Sequence, residues 1–170
     1  MQTFLPSPDF RESAEALDGN RRRNQRNECK VILNTRLGVY PSKNGRPGGW
    51  PYHPATLMWA GYEAALCRYA LAVSQSCIRA GWRAGGYVEF FLTRLHMLDD
   101  QGDPPWLGMP ELHRSHRSNL IKKWPGFYGP LWPEEPDDLP YIWPTNLEEF
   151  ARMKRAPCRL IGDENGSPLP

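Results

Sequence analysis

One carboxylate lies within a dense group of arginines near the start of the chain. Residues 17–33 hold Glu28 together with four arginines, Arg21, Arg22, Arg23 and Arg26. If this stretch is a helix, Glu28 shares a face with Arg21 and Gln25, whereas Arg22 and Arg26 lie toward another side. Glu28 then stands where polar surface meets core, which suits an acid or base flanked by cations that hold an anionic polymer. On this segment alone, a solvated turn with an ion-paired Glu28 is the simpler interpretation.

A second group of polar side chains, in residues 113–123, combines histidines with basic residues. His113 and His116 are three positions apart, so on a helix both rings could face one metal ion. Because no third ligand is evident, no metal site is predicted. We interpret the histidines as an anion-binding pair in company with the neighbouring cations, Arg114, Arg117, Lys122 and Lys123.

Other candidate features have simpler structural explanations. Asp99, Asp100 and Asp103 lie beside glycine and proline, which is typical of a turn rather than a divalent-cation cluster. His53 precedes a proline at a predicted helix start, where a cap is simpler than a catalytic role. Most aromatic residues are expected in the core or packed by the tail, although some could stack on unstacked bases. The sequence contains no P-loop and no dinucleotide fingerprint, so nucleotide-driven chemistry is not expected.

The net charge of +2 conceals an uneven distribution. Residues 1–130 carry 17 Lys and Arg against 11 Asp and Glu, whereas residues 131–170 carry 4 against 8. The first part is therefore about +6 and the tail about −4. Arginine, with 16 residues against 5 lysines, is suited to bidentate phosphate contacts and to stacking on bases. The composition favours a nucleic-acid partner.

The cysteines and the apolar runs bear on the location of the protein. The four cysteines form no C-x-x-C pair and no apolar signal segment begins the chain, so we expect reduced thiols in a cytoplasmic protein. No apolar run is long enough to span a membrane. With 170 residues, the chain is expected to form one domain with its own hydrophobic core and to act as a monomer.

Proline just inside helix starts and glycine just past helix ends indicate an all-α fold of about five helices. No segment alternates as a strand does. The predicted helices cover residues 8–16, 21–36, 55–80, 87–98 and 110–123, with a break at residues 18–20, and a capping box opens a further one at residues 145–154. Residues 125–144 are rich in proline and aromatics and are expected to wrap the surface. We expect a helical domain over residues 1–144, followed by a C-terminal helix and a flexible tail over residues 145–170.

Three blocks occur in order along residues 1–130. The first is the basic run that leads to a helix-borne glutamate, Arg21, Arg22, Arg26 and Glu28. The second begins at His53-Pro54, continues to Tyr69 and ends at Arg79-Ala80-Gly81-Trp82. The third, residues 117–128, is a basic helix followed by a proline and an aromatic pair. Together they resemble the pyrimidine-dimer DNA glycosylase family, the endonuclease V type of small all-α repair enzyme.

This resemblance implies a DNA glycosylase with abasic-site lyase activity, acting on double-stranded DNA that contains a damaged or modified base. The α-amine of Met1 would attack the sugar and form a Schiff base, with Glu28 as acid and base. An α-amine, with a pKa near ~7.7–8.0, is neutral at pH 7 far more often than a lysine near ~10.4. The DNA contacts would be Arg21, Arg22, Arg26, His53, Arg114, Arg117 and Lys122. No metal or organic cofactor is implied.

Two features of this chain depart from the family pattern. Gln2 is bulky, so Met1 is expected to stay in place rather than be removed. The extension after Gly129 could cover the DNA cleft, and an altered base is as reasonable a target as a pyrimidine dimer. Two alternatives stay open, namely a DNA-binding module without catalysis and a metal-dependent hydrolase that uses His113 and His116.

Overall fold

The computed structural model describes residues 2–42 and 48–145. Within these residues the chain forms helices and no strand, which confirms the all-α prediction. The helices are α1 (Phe10–Ala16), α2 (Gly19–Arg36), α3 (Pro54–Leu57), α4 (Glu63–Arg79), α5 (Gly85–Leu95), α6 (Pro110–Lys123) and α7 (Pro125–Tyr128), and a 3-10 turn follows at Gly129–Leu131.

Helix α4 lies at the centre of the fold and packs against α1, α2 and α5. Most of its surface is buried, because small and apolar residues such as Ala64, Leu66 and Val73 surround its axis. Trp59, in the turn before α4, is fully buried, and its ring stacks on Tyr69 with centroids 6.0 Å apart. This core supports the buried side of α2, the helix that carries Glu28.

Helix α2 begins at a capping residue that links it to the C-terminal part of the described chain. The Oδ1 atom of Asp18 accepts hydrogen bonds from the N–H groups of Asn20 (3.0 Å) and Arg21 (3.2 Å). Its Oδ2 atom accepts one from the hydroxyl of Tyr128 (2.6 Å). Burial opposes ionisation, but the hydrogen bonds from Tyr128 and Arg21 outweigh it and hold the pKa of Asp18 below its ordinary value. The start of α2 is therefore fixed against α7.

The prediction of one long helix over residues 55–80 is wrong. The chain forms the short α3 and then α4, with a turn between them at Gly61, whose φ is 79°. This left-handed conformation is open to glycine and costly for other residues, so the helix ends before it. The intervening residues Met58, Trp59 and Ala60 are buried, which explains why the apolar pattern runs through the break.

The other helices lie close to their predicted positions. Helix α6 spans the predicted residues 110–123, and α2 starts two residues early, inside the predicted break at residues 18–20, because Asp18 caps it. Residues 125–144, expected to lack helix, instead begin with α7 and the 3-10 turn. The predicted helix from 145 to 154 and the predicted tail lie almost wholly outside the described residues. Among the described helices, none combines the length and apolar character needed to cross a membrane.

Candidate active site

The first described residues of the chain lie inside the protein. Thr3 and Leu5 are fully buried, and Phe4 is 6% exposed. This N-terminal segment, residues 2–6, forms no helix, so its buried backbone groups need partners from elsewhere in the molecule. The partners are side chains of α2, α4 and α6.

Gln25 on α2 holds the part of the N-terminal segment closest to the start of the chain. Its Nε2 donates to the carbonyl of Gln2 (2.8 Å), and its Oε1 accepts from the N–H of Phe4 (3.0 Å). The hydroxyl of Tyr69 on α4 donates to the carbonyl of Phe4 (2.6 Å). Gln25 is 2% exposed, so water hardly competes for these bonds. The position of Gln2 is thus set by a rigid helix.

The prediction that His113 and His116 bind an anion is wrong, because both rings of this α6 pair hold the N-terminal segment. Nδ1 of His113 donates to the carbonyl of Leu5 (2.7 Å), and its Nε2 accepts from the N–H of Gly108 (3.0 Å). Nδ1 of His116 accepts from the N–H of Leu5 (2.8 Å). Burial lowers the pKa of His116 to about 3, so the ring is neutral at pH 7.

The same contacts contradict the metal-dependent hydrolase that would use this histidine pair. Both ring nitrogens of His113 are engaged, and His116 is fully buried. Within residues 2–42 and 48–145, no three His, Cys, Asp or Glu side chains are grouped to hold a metal ion. The acidic residues Asp100 and Asp103 contact Arg68 instead, with 2.9 Å between Arg68 Nη2 and Asp103 Oδ1.

A cleft of about 390 Å³ opens beside the N-terminal segment, between the first turns of α2 and the C-terminal end of α6. Glu28 is half-buried in its wall, next to the buried Cys29 on α2. Gln2, held by Gln25, lines the same cleft. The lining residues are Gln2, Phe4, Asp18, Asn20, Arg21, Asn24, Gln25, Glu28, Lys123 and Trp124. The cleft therefore brings the start of the chain and the Glu28 carboxylate to one surface.

Two cations and one aromatic side chain complete the cleft. Arg21 pairs with Asp18 (2.6 Å) and lies over the Tyr128 ring, 5.5 Å from its centroid. Lys123 is exposed in the last turn of α6. Trp124 follows it and is 47% exposed, and its ring stacks with Phe127 at 5.1 Å between centroids. These side chains can contact phosphates and unstacked bases.

Arg22 and Arg26 lie on the other side of α2, as the helical pattern predicts. Arg22 donates to the carbonyls of Glu15 (2.7 Å) and Leu17 (2.8 Å), at the end of α1. Arg26 donates to the carbonyl of Arg83 (2.8 Å). Both guanidinium groups thus join α2 to neighbouring elements, and their predicted contacts with DNA stay predictions.

The predicted DNA contacts on α6 do not gather at the cleft. Arg114 and Arg117 both bind the carboxylate of Glu135, at 2.7 Å in each case. Lys122 is exposed but does not line the cleft, whereas the adjacent Lys123 does. The predicted contacts of Arg114, Arg117 and Lys122 with DNA stay predictions.

The resemblance implies that His53 contacts DNA and that Met1 supplies the nucleophile. Nδ1 of His53 accepts from the N–H of Ala55 (3.1 Å), so His53 caps α3 as the simpler interpretation predicts. Burial lowers the pKa of His53 below its ordinary value. Met1 lies outside the described residues, and its role as nucleophile stays a prediction.

The sequence alone assigns no function to several residues that line the cleft, namely Phe4, Asp18, Asn20, Asn24 and Gln25, whereas Trp124 is one of the aromatic residues that could stack on unstacked bases. The helical pattern places Gln25 on the same face as Glu28, and this position was the signal that could have assigned Gln25 to the site. Its partners are 21 and 23 positions away, so the contact with the N-terminal segment arises only when the chain folds.

A family model described as pyrimidine dimer DNA glycosylase matches residues 1–89, more than half of the chain. The chain belongs to this family. Membership places it among DNA glycosylases, a class of DNA repair enzymes. No curated protein and no solved structure matches it significantly. The family match covers the first two blocks of the resemblance and ends before the third, at residues 117–128.

Proposed function

We propose that the protein is a DNA glycosylase with abasic-site lyase activity that uses the α-amine of Met1 as its nucleophile. The observation that carries this proposal is the burial of the N-terminal segment, which the Gln25 amide fastens beside Glu28. Chain termini are usually loose surface features. Gln2 lines the cleft, and the proposed amine belongs to the residue bonded to Gln2.

The proposed reaction begins with attack on the sugar of the damaged nucleotide. The amine nitrogen bonds to the anomeric carbon while the bond from that carbon to the base breaks, and the base leaves with a proton. The amine then loses its remaining proton as the sugar ring opens and a C=N bond forms, which is the Schiff base. Glu28 takes this proton and delivers it to the ring oxygen.

Strand scission follows from the same intermediate. Glu28 removes a proton from the sugar carbon next to the Schiff base, a C=C bond forms and the 3′ phosphate leaves. Water hydrolyses the Schiff base and restores the amine. The reaction thus needs one amine and one carboxylate within reach of the same sugar, and Gln2 and Glu28 line one cleft.

The rest of the cleft suits a distorted duplex. Arg21 and Lys123 can neutralise phosphates on either side of an opened nucleotide. The stacked rings of Trp124 and Phe127, 47% and 38% exposed, offer a surface to an unstacked base. Flipping a damaged base out of the duplex costs less free energy than flipping an undamaged, paired base. The cleft therefore favours damaged sites. We propose DNA with a pyrimidine dimer or another altered base as the substrate.

Borohydride trapping on a duplex that contains one abasic site tests this function. Borohydride reduces the C=N bond, so an active lyase becomes covalently joined to the DNA. We expect an adduct of protein and DNA with the unmodified chain and its loss when the α-amine is selectively acetylated. DNA binding without any adduct would contradict the lyase and support the binding module without catalysis.

A further inference from the structure

An acidic loop lies against α6. We define it as residues 133–138, which contain four carboxylates, Glu134, Glu135, Asp137 and Asp138. Glu135 lies between two arginines of α6. Its Oε1 is 2.7 Å from Nε of Arg114, and its Oε2 is 2.7 Å from Nη2 and 2.8 Å from Nε of Arg117. One carboxylate is thus held by two guanidinium groups.

The acidic loop is fastened at both ends by contacts that do not involve Glu135. Before it, the ring of Trp132 stacks on Tyr128, with centroids 5.9 Å apart and planes 3° from parallel. After it, the N–H of Leu139 donates to Oγ of Ser118 (3.0 Å). The path of the loop on either side of Glu135 therefore does not depend on the contacts of Glu135 with the arginines.

One of the two arginines also contacts the N-terminal segment. Arg117 also donates to the carbonyl of Pro6 (2.8 Å), at the end of the N-terminal segment. It precedes Lys123, which lines the cleft, by six residues of the same helix, a rise of about 9 Å. Six residues also turn Arg117 by about 120° around the helix axis from Lys123, so the two side chains would contact different parts of a bound duplex.

We propose that Arg114 and Arg117 form a DNA phosphate site that Glu135 occupies in the free protein, so that the acidic loop restrains DNA binding until phosphate displaces it. Carboxylate and phosphate oxygens accept the same fork of N–H groups from arginine, so one replaces the other without rebuilding the site. The other three carboxylates of the loop repel DNA at the same place. This inference rests on the proposed DNA substrate.

The substitution Glu135→Gln removes the competing charge and keeps the size of the side chain. We expect tighter binding to duplex DNA and a plot of log affinity against log salt that is steeper by about 1–2, since each added phosphate contact contributes roughly 0.9. Asp99→Asn is the matched control, because Asp99 is exposed in the loop after α5 and the substitution removes the same single charge. Fluorescence anisotropy at several salt concentrations measures both quantities.

Two further variants test whether the expected increase in DNA affinity and in salt dependence comes from the arginine pair. Adding Arg114→Gln and Arg117→Gln to Glu135→Gln should remove the extra slope. Asp137→Asn with Asp138→Asn leaves the Glu135 contacts in place, and should raise affinity by a smaller factor if the loop repels DNA. This exposed double variant also tests the inference if Glu135→Gln fails to fold.

The outcomes separate this inference from the proposed function. If the unaltered chain binds DNA and forms the borohydride adduct, but folded Glu135→Gln binds with the same affinity and slope, the phosphate site is wrong and the function stands. The same conclusion follows if the Asp137 and Asp138 double variant leaves affinity unchanged. If the unaltered chain binds no DNA, the proposed function fails first, and this inference with it.

Discussion

Two side chains of α2, one turn apart, both line the cleft but differ in burial. Gln25 is buried and uses both ends of its amide on the N-terminal segment, so it positions the backbone. Glu28 is half-buried in the cleft wall, where a carboxylate can meet a substrate. The periodicity of residues 17–33 places both on one face, and the fold adds the segment that Gln25 holds.

Replacement of Glu28 tests the acid and base. Glu28→Gln keeps the size and removes the ionisable group, so we expect turnover on damaged DNA to fall by roughly 10²–10⁴-fold with DNA affinity nearly intact. Single-turnover kinetics and anisotropy measure the two quantities. Glu89→Gln, an exposed change on α5, is the control that should keep wild-type turnover. Wild-type turnover in Glu28→Gln would remove Glu28 from the mechanism.

Replacement of Gln25 tests the positioning of the segment. Gln25→Met fills a similar volume but leaves the N–H of Phe4 and the carbonyl of Gln2 without their partner. We expect the free energy of unfolding to fall by about 1–3 kcal/mol and the trapping rate to fall with it. Urea denaturation checks that the variant is folded at the assay temperature. Gln75→Met, the same substitution at an exposed position of α4 away from the cleft, is the control, and equal trapping rates in both variants would contradict the positioning role of Gln25.

His116, the fully buried histidine of α6 that contacts the N-terminal segment, makes the free energy of unfolding depend on pH. Burial lowers the pKa of His116 from 6.5 to about 3, so between these values the unfolded chain binds a proton that the folded chain does not. The free energy of unfolding should therefore fall as pH drops below about 6.5, by up to about 1.4 kcal/mol per pH unit. Urea denaturation between pH 7 and 5 should show a shallower dependence for His116→Gln. His96→Gln, an exposed change, should keep the wild-type dependence.

At the scale of the helices, capping and end signals predicted α2 and α6 well, because proline, aspartate and glycine act locally. The break at Gly61 was missed because the turn around it is buried and continues the apolar pattern. For the candidate site, the helical period was enough to place Arg21, Gln25 and Glu28 on one helix face. The contacts of the N-terminal segment join residues 21, 65 and 111 positions apart, and no local pattern encodes such separations.

The two lysines at the end of α6 allow a direct comparison of sequence and structure. Lys123 lines the cleft and Lys122 does not, although the sequence alone favoured Lys122. We expect Lys123→Ala to flatten the plot of log affinity against log salt by about 0.9, since one phosphate contact is lost. Lys122→Ala, with the same change of charge and type, should have a smaller effect. A larger effect at Lys122 would place the DNA on a different face of α6.

At the scale of the whole molecule, the candidate site depends on both parts of the chain. The family match ends at residue 89, yet α6 supplies His113, His116 and Arg117 to the N-terminal segment and Lys123 to the cleft. The acidic loop beyond α6 carries part of the negative charge that the composition assigns to residues 131–170. The charge asymmetry seen in the sequence therefore becomes a contact between an acidic loop and a basic helix.

The proposed mechanism places the reacting amine on the first residue of the chain, and the position of the trapped adduct tests this assignment. After borohydride trapping on abasic DNA, the protein is digested with trypsin and the modified peptide is identified by mass spectrometry. Trypsin cleaves after Arg11 and releases residues 1–11 as one peptide, which contains no lysine. The α-amine is therefore the one primary amine in that peptide. We expect the sugar remnant on residues 1–11. A remnant on a peptide that contains Lys30, or on any other lysine, would contradict this assignment.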